Sequence, residues 1–306
     1  MIDEASMIRH LRGNYMTTED SNPYLAYARS VQALMDEGHG LPYGGFKPPL
    51  KSKIDKEAPV VLILSPHPDD ECIIGGLPLR LMKEGNLRVL NVAVTQGSNP
   101  ARKKERLTEL RGACEWIGFE LIQTGPNGLD RIRPETARKD PSYWSSSVGI
   151  LTEIFLKHQP AAIFLPHAKD WNKTHLGTHL LAIDALQKTK NFAPLIIETE
   201  YWGQMPQPNL MVENTIDEVA ELLGALSHHK GELERNPFHL RLPAWMQDNV
   251  RRGAEVVGGQ GGGAPNFAFA TLYRVNRWNG QRLVPAWSEG KILGSSECSK
   301  QSLLRV

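Results

Sequence analysis

The chain has 306 residues, 41% of them hydrophobic, and a formal net charge of +1. That length can bury a large core, so one large α/β domain is expected, and the near-neutral charge excludes electrostatic recruitment by nucleic acid or an anionic membrane. Cys72, Cys114 and Cys298 have no paired spacing, which gives no disulfide framework and suits a reducing compartment. No apolar run reaches the length of a membrane span. The charged opening MIDEASMIRHLRGN has no apolar h-region. The expectation is a soluble, cytoplasmic protein.

Residues 1–57 read as an N-terminal extension. Ser21-Asn22-Pro23 is the expected cap of a helix over 24–37, with Leu25, Ala28, Val31, Leu34 and Met35 on one face. Residues 38–49 are rich in Gly and Pro and read as a loop. The extension is expected to pack on the domain surface or to support a contact between copies of the chain, as in a homo-oligomer.

From Pro59 onward strand and helix signals alternate. A strand at 60–64 precedes a helix at 77–84 closed by Gly85, and a strand at 89–95 precedes a helix at 100–117 ended by Gly118. A strand at 120–124 leads into a long polar connection, 127–147, read either as a functional loop or as a solvated insertion. A helix at 148–158, a strand at 161–165, a helix at 175–189 and a strand at 195–202 follow. The alternation predicts an α/β fold with a Rossmann-like, mostly parallel sheet and helices on both faces. Beyond Trp202 the character changes. A helix over 214–229 has Ile216, Val219, Leu222, Leu223 and Leu226 on its buried face, and the glycine run 258–263 leads to a strand at 267–275. This part is expected to form a small C-terminal lobe, a lid or side wall. The expected division is an extension over 1–57, a domain over 58–276 and a tail over 277–306.

Chemistry concentrates at strand ends. The stretch 60–71 reads VVLILSPHPDDE: a buried strand, a Ser-Pro stop, then His67, Asp69, Asp70 and Glu71. Strand ends are where open α/β sheets hold ligands. Three carboxylates and a histidine there call for a cation, and nitrogen plus oxygen donors suit zinc. The local alternative is that Asp69 or Asp70 caps a helix. After the strand at 161–165 come His167, Asp170, Trp171, Asn172, His175 and His179. His175 and His179 share a helix face, so either can reach a metal. Arg106 and Glu109, three apart, read locally as a surface ion pair. His229 reads locally as a favourable charge at a helix end. The first strand lacks a glycine-rich turn, which excludes nucleotide binding.

HPDDE after a hydrophobic strand resembles the signature of the LmbE-like, or PIG-L, zinc-dependent N-deacetylases, which act on N-acetylglucosamine-type groups. Other matches follow in family order from about residue 59 to 275. Asn172-Lys173-Thr174-His175 stands where the family has His-Pro-Asp-His, with His175 on the zinc ligand and Asn172 on a histidine that polarises the substrate. The helix from Arg106 through Glu109 and Ala113 to Gly118 matches in spacing. His229 falls on the histidine of an Ala-Leu-x-x-His-x-Ser-Gln pattern whose last two residues are Gly231 and Glu232 here. Phe269 stands where the family usually has glutamate.

The resemblance implies an LmbE-like fold and a zinc-dependent hydrolase that removes an N-acetyl group from a small amino-sugar conjugate. It implies His67, Asp70 and His175 as ligands of Zn2+ and Asp69 as general base. It implies Asn172, His179 or a backbone N–H as oxyanion donor, Arg106 and His229 as substrate contacts, and Glu71 as an orienting residue. Two readings stay open beside it: a hydrolase of another acyl amide or of an ester on the same metal site, and a non-catalytic sugar-binding member of the fold.

Overall fold

The computed structural model describes residues 22–201 and 203–304. Ser21, Trp202 and the charged N-terminal opening, each part of an expectation above, lie outside the described residues. The chain forms two compact units that divide after Pro42. In the first, helix α1 spans Pro23–Gly38, and the cap is Asn22, whose Oδ1 accepts from the Tyr24 N–H at 3.1 Å. On its apolar face Leu25 and Met35 are half-buried, whereas Ala28, Val31 and Leu34 are exposed.

The second unit runs in the order β1 (Val60–Ser65), α2 (Asp70–Ile73), α3 (Leu77–Gly85), β2 (Arg88–Ala93), α4 (Lys103–Ile117) and β3 (Glu120–Gln123). Then come α5 (Pro134–Lys139), α6 (Pro141–His158), β4 (Ala162–Pro166), α7 (Lys173–Gln187), β5 (Leu195–Thr199) and β6 (Leu210–Asn214). Helices α8 (Ile216–Leu226), α9 (Lys230–Arg235) and α10 (Leu242–Val256) precede β7 (Phe269–Trp278), β8 (Leu283–Pro285), β9 (Lys291–Leu293) and α11 (Ser299–Leu303).

The sheet has nine strands in the order β3-β2-β1-β4-β5-β7-β6-β9, with β8 paired to β7. The first five are parallel. Strand β7 lies antiparallel between β5 and β6. Successive side chains of a strand face opposite ways. Val61 and Ile63 therefore join the core under α3, α4 and α8, while Val60, Leu62 and Leu64 join the core under α6 and α7. Cover on both faces is why β1 reads as an unbroken apolar run. No helix among the described residues is long and apolar enough to cross a membrane.

Several expectations need correction. The polar connection 127–147 holds α5 and the first two turns of α6, each opened by a proline in its first turn; Asp140 caps α6 by accepting from the Tyr143 N–H at 3.2 Å. Asn214 closes β6, and the next helix starts only at Ile216, after a Thr215–Glu218 capping box. Strands β6, β8 and β9 and helix α10 were not expected. With β7 they extend the sheet, so the C-terminal part is more than a lid or wall. Gly75, at φ 86°, separates the single turn of α2 from α3.

The feature that positions function is the reversal of strand order at β1. The chain moves outward from β1 to β2 and β3, then returns to lay β4 on the other side of β1. A crevice opens at the carboxyl ends of β1 and β4, the usual ligand position in such sheets.

Candidate metal centre and active site

Two loops meet in that crevice. The loop after β1 folds back on itself, with the His67 backbone N–H donating to Asp70 Oδ2 at 2.8 Å. The loop after β4 carries Asp170 and Asn172 into the start of α7. Asn172 is the cap of α7: its Oδ1 accepts from the Thr174 N–H at 2.9 Å and the His175 N–H at 3.4 Å. A capped helix start fixes where His175 points.

His175 Nε2 lies 3.2 Å from His67 Nδ1 and 3.5 Å from Asp70 Oδ2, and His67 Nδ1 lies 3.4 Å from Asp70 Oδ2. Metal–donor bonds of about 2.0–2.1 Å in a tetrahedron place donors about 3.3–3.4 Å apart, so these three atoms have the spacing of one zinc face. Asp170 Oδ2 accepts from His175 Nδ1 at 3.0 Å, which leaves the Nε2 lone pair toward the other two donors. The donor set therefore fits a zinc ion. Burial pushes the Asp70 carboxyl up, but His175 and His67 outweigh it and hold it below the ordinary range.

Asp69 is held under strain. Its φ is 109°, uncommon outside glycine, and its N–H donates to Glu71 Oε2 at 3.0 Å. Glu71 is itself fixed by His229, whose Nε2 lies 2.7 Å from Glu71 Oε1. Arg106 donates to the Pro68 carbonyl at 2.8 Å and lies 3.6 Å from Asp69 Oδ2. Burial, then the neighbouring Asp70, push the Asp69 carboxyl well above its ordinary range, against the pull of Arg106. Glu71, Cys72 and His229 form a second buried group with ligand-type atoms. There the Glu71–His229 hydrogen bond uses His229 Nε2 and leaves the buried His229 Nδ1 without a partner, and burial pushes the Cys72 thiol well above its ordinary range.

A cavity of about 770 Å³ opens above these loops, within the usual size of small-molecule sites. His67 and Asp69 line its base, Arg102, Arg106, Glu232 and Arg235 one side, and Arg131, Arg133, Asn172 and Lys173 the other.

The structure thus brings His67, Asp70 and His175 together and sets Asp69, Arg106 and Asn172 on the cavity. His179 is placed apart. Its Nδ1 lies 2.8 Å from the Pro166 carbonyl and 3.7 Å from Glu198, and it does not line the cavity. His229, expected to touch substrate, has 0% exposure and lies behind the first loop against Glu71; a side chain sealed there has no face to offer a ligand. Glu109 does not pair with Arg106 but accepts from the Gly231 N–H at 2.9 Å. His167 bonds the Gly203 carbonyl at 2.9 Å. Sequence reasoning gave Asp170 and Glu232 no role. Glu232 draws Arg102 to 3.0 Å and Arg106 to 3.7 Å and also bonds Arg235. Its only signal was a glutamate where the resembled pattern has glutamine.

Residues 62–186, from β1 through α7, match the model of the family described as PIG-L: GlcNAc-PI de-N-acetylase. No curated protein sequence matches the chain. Three solved structures are similar in fold. The 4-carboxy-2-hydroxymuconate hydratase GalB of Pseudomonas putida KT2440 aligns with TM-score 0.53 and 17% identity, over 76% of this chain and 99% of that one. A deacetylase of the teicoplanin biosynthesis pathway gives 0.51 and 16%, over 72% and 99%. The N,N'-diacetylchitobiose deacetylase of Pyrococcus horikoshii gives 0.50 and 17%, over 85% and 94%. Both site loops lie inside the segment, residues 62–186, that matches the PIG-L, or LmbE-like, family model.

Proposed function

We propose that the protein is a metal-dependent hydrolase that removes an N-acetyl group from an amino-sugar conjugate. The observation that carries the reading is the triangle of His67 Nδ1, Asp70 Oδ2 and His175 Nε2, with sides of 3.2 to 3.5 Å, beside the strained Asp69. His67, Asp70 and His175 would hold Zn2+. A bound zinc supplies a lowered water pKa and a polarised amide carbonyl.

The remaining chemistry belongs to side chains of the chain. Asp69 accepts a proton from the attacking water and delivers it to the leaving nitrogen. Water is thereby added across the amide C–N bond, giving acetate and a free amine. Arg106 steadies Asp69 through the Pro68 carbonyl and the carboxylate itself. Asn172 uses its oxygen in the helix cap and so keeps its amide N–H group for the oxyanion. A purely sugar-binding role would not require an aspartate held at φ 109° beside a second buried carboxylate, because such strain persists where mechanism uses it.

The test is acetate release from a panel of N-acetylated amino sugars by protein of measured zinc content. About one zinc per chain and acetate from at least one member are expected. A stoichiometrically loaded protein that releases no acetate from any of them, but hydrolyses other acyl amides or esters, would move the activity to the alternative substrate class.

A further inference from the structure

We propose that Trp171 is the platform for the sugar ring of the substrate, with its indole stacked on the apolar face of the ring that carries the acetamido group. The proposal rests on the deacetylase reading for the identity of the sugar, and on the cavity and its loops for the position of the ring. Trp171 is 69% exposed and lines the cavity beside Asn172. Among the described residues no Phe, no Tyr and no second Trp lines it. Leu129 and Ile132, the other apolar side chains of the lining, are buried. The indole is therefore the largest apolar surface that this polar cavity presents.

A pyranose has the complementary character. Its hydroxyls spread around the edge, where polar walls can bond them, and its axial C–H bonds gather on a face. That face, slightly positive, meets the negative face of an aromatic ring. Pockets of this kind take an apolar surface for contact and a few polar groups for orientation. A linear amine offers no such face. The order of groups also fits. Asn172 is the residue proposed above for the oxyanion. With the acetyl carbonyl held there, the ring on the amide nitrogen is the next group outward, and Trp171 is the neighbouring side chain.

A single exposed tryptophan is ordinary on a protein surface. This one is distinguished by how its loop is fixed. His167 Nδ1 accepts from the Lys169 N–H at 3.2 Å, which puts the ring hydrogen on Nε2, and Nε2 donates to the Gly203 carbonyl at 2.9 Å. Asp170, buried, accepts from the Asn172 N–H at 2.8 Å and from His175 at 3.0 Å. Trp171 thus stands between one residue tied to His175 and another that caps α7. Gly203 packs against it: a Cβ there would lie 3.2 Å from Asp170 Cα and 3.4 Å from Trp171 Cδ1. The 203 segment braces one edge of the indole, so part of its freedom is lost before a ligand arrives, which favours binding.

Binding tests the platform without relying on turnover. Zinc-loaded Asp69→Asn protein is titrated, by calorimetry and by NMR, with methyl N-acetylglucosaminide and with acetohydroxamate, which occupies the metal and the acetyl position but has no ring. Protons on one face of the glycoside ring should shift upfield on binding, under the ring current of the indole. Adding Trp171→Ala should abolish that shift and weaken the glycoside by about tenfold or more, while acetohydroxamate affinity and zinc content stay unchanged. Trp171→Tyr should keep most of the shift and of the affinity. A glycoside that does not bind, a bound glycoside without the upfield shift, or unchanged affinity in Trp171→Ala overturns the platform. Equal weakening of both ligands also overturns it, because Trp171 would then act through the position of Asn172. Acetate release by wild-type protein from the same glycoside reports on the deacetylase reading separately. A ring-current shift without release would sink that reading and keep the platform, and release without the shift would do the reverse.

Discussion

Asp69 is disfavoured twice, by a backbone φ of 109° and by burial beside Asp70. A carboxyl whose pKa folding raises supports the fold while protonated and opposes it once ionised. In metal-free protein Asp69 should therefore cost stability as pH rises through its folded pKa. Asp69→Asn should raise the melting temperature of metal-free protein at neutral pH, and the gain should shrink as pH falls into the range where the carboxyl is protonated. A gain that is independent of pH would assign it to backbone relief alone, since Asn tolerates positive φ. His229 acts one step further back. His229→Ala leaves Glu71 buried without its 2.7 Å partner, and leaving a buried acceptor unsatisfied costs about 1–3 kcal/mol. Because Glu71 also holds the Asp69 N–H, kcat should fall more than KM changes, and His229→Gln, which keeps a donor, should recover part of it. Equal effects of the Ala and Gln variants would reduce His229 to packing. The HPDDE run was legible because short spacing fixes local geometry, whereas spacing left His175 and His179 equivalent and only the family resemblance favoured His175. The Glu71–His229 bond was not, since its partners are 158 residues apart and nothing local ties them.

At the scale of elements, the site exists because the connections that leave the adjacent parallel strands β1 and β4 run to opposite sides of the sheet, and their two loops close over the gap. Helix α7 brings His175 into that gap only if its first turns can approach the 131–133 loop, which Gly177 allows. Gly177→Ala should therefore destabilise by the roughly 1–3 kcal/mol of an overpacked contact, despite the better helix propensity of alanine. A lowered urea midpoint with unchanged slope is the expected result, and a raised midpoint would mean that the loop yields freely. The parallel half of the sheet was legible because βαβ units alternate long apolar strands with capped helices. Residues 127–147 were misread because Pro134 and Pro141 resemble loop punctuation; each instead opens a helix, where the missing N–H has no consequence. Strands β8 and β9, three residues each, are too short to carry a period.

At the scale of the whole molecule, one buried side chain adds a tie between α3 and the segment that follows β9. Arg80 on α3, 1% exposed, donates to the Gly294 carbonyl at 3.0 Å, to the Glu297 carbonyl at 2.6 Å and to Glu84 at 2.7 Å. Arg80→Leu would leave the Gly294 and Glu297 carbonyls without the guanidinium and break its ion pair with Glu84, and should cost about 3–5 kcal/mol, seen as a lowered midpoint in denaturant. A variant as stable as wild type would mean that water replaces the guanidinium. This long-range tie joins residues over two hundred positions apart, and no pattern in sequence announces it. What the assembled sheet delivers is a crevice in which His67, Asp70 and His175, the proposed zinc donors, stand beside the carboxylate of Asp69. The most direct measurement of that account is turnover of Asp69→Asn at known zinc content, on a glycoside that wild type deacetylates. The variant should bind zinc as wild type does and release acetate more slowly by the roughly 10²–10⁴-fold typical of a lost general base. Near-normal turnover with normal zinc would contradict the role of Asp69 and with it the mechanism proposed for this site.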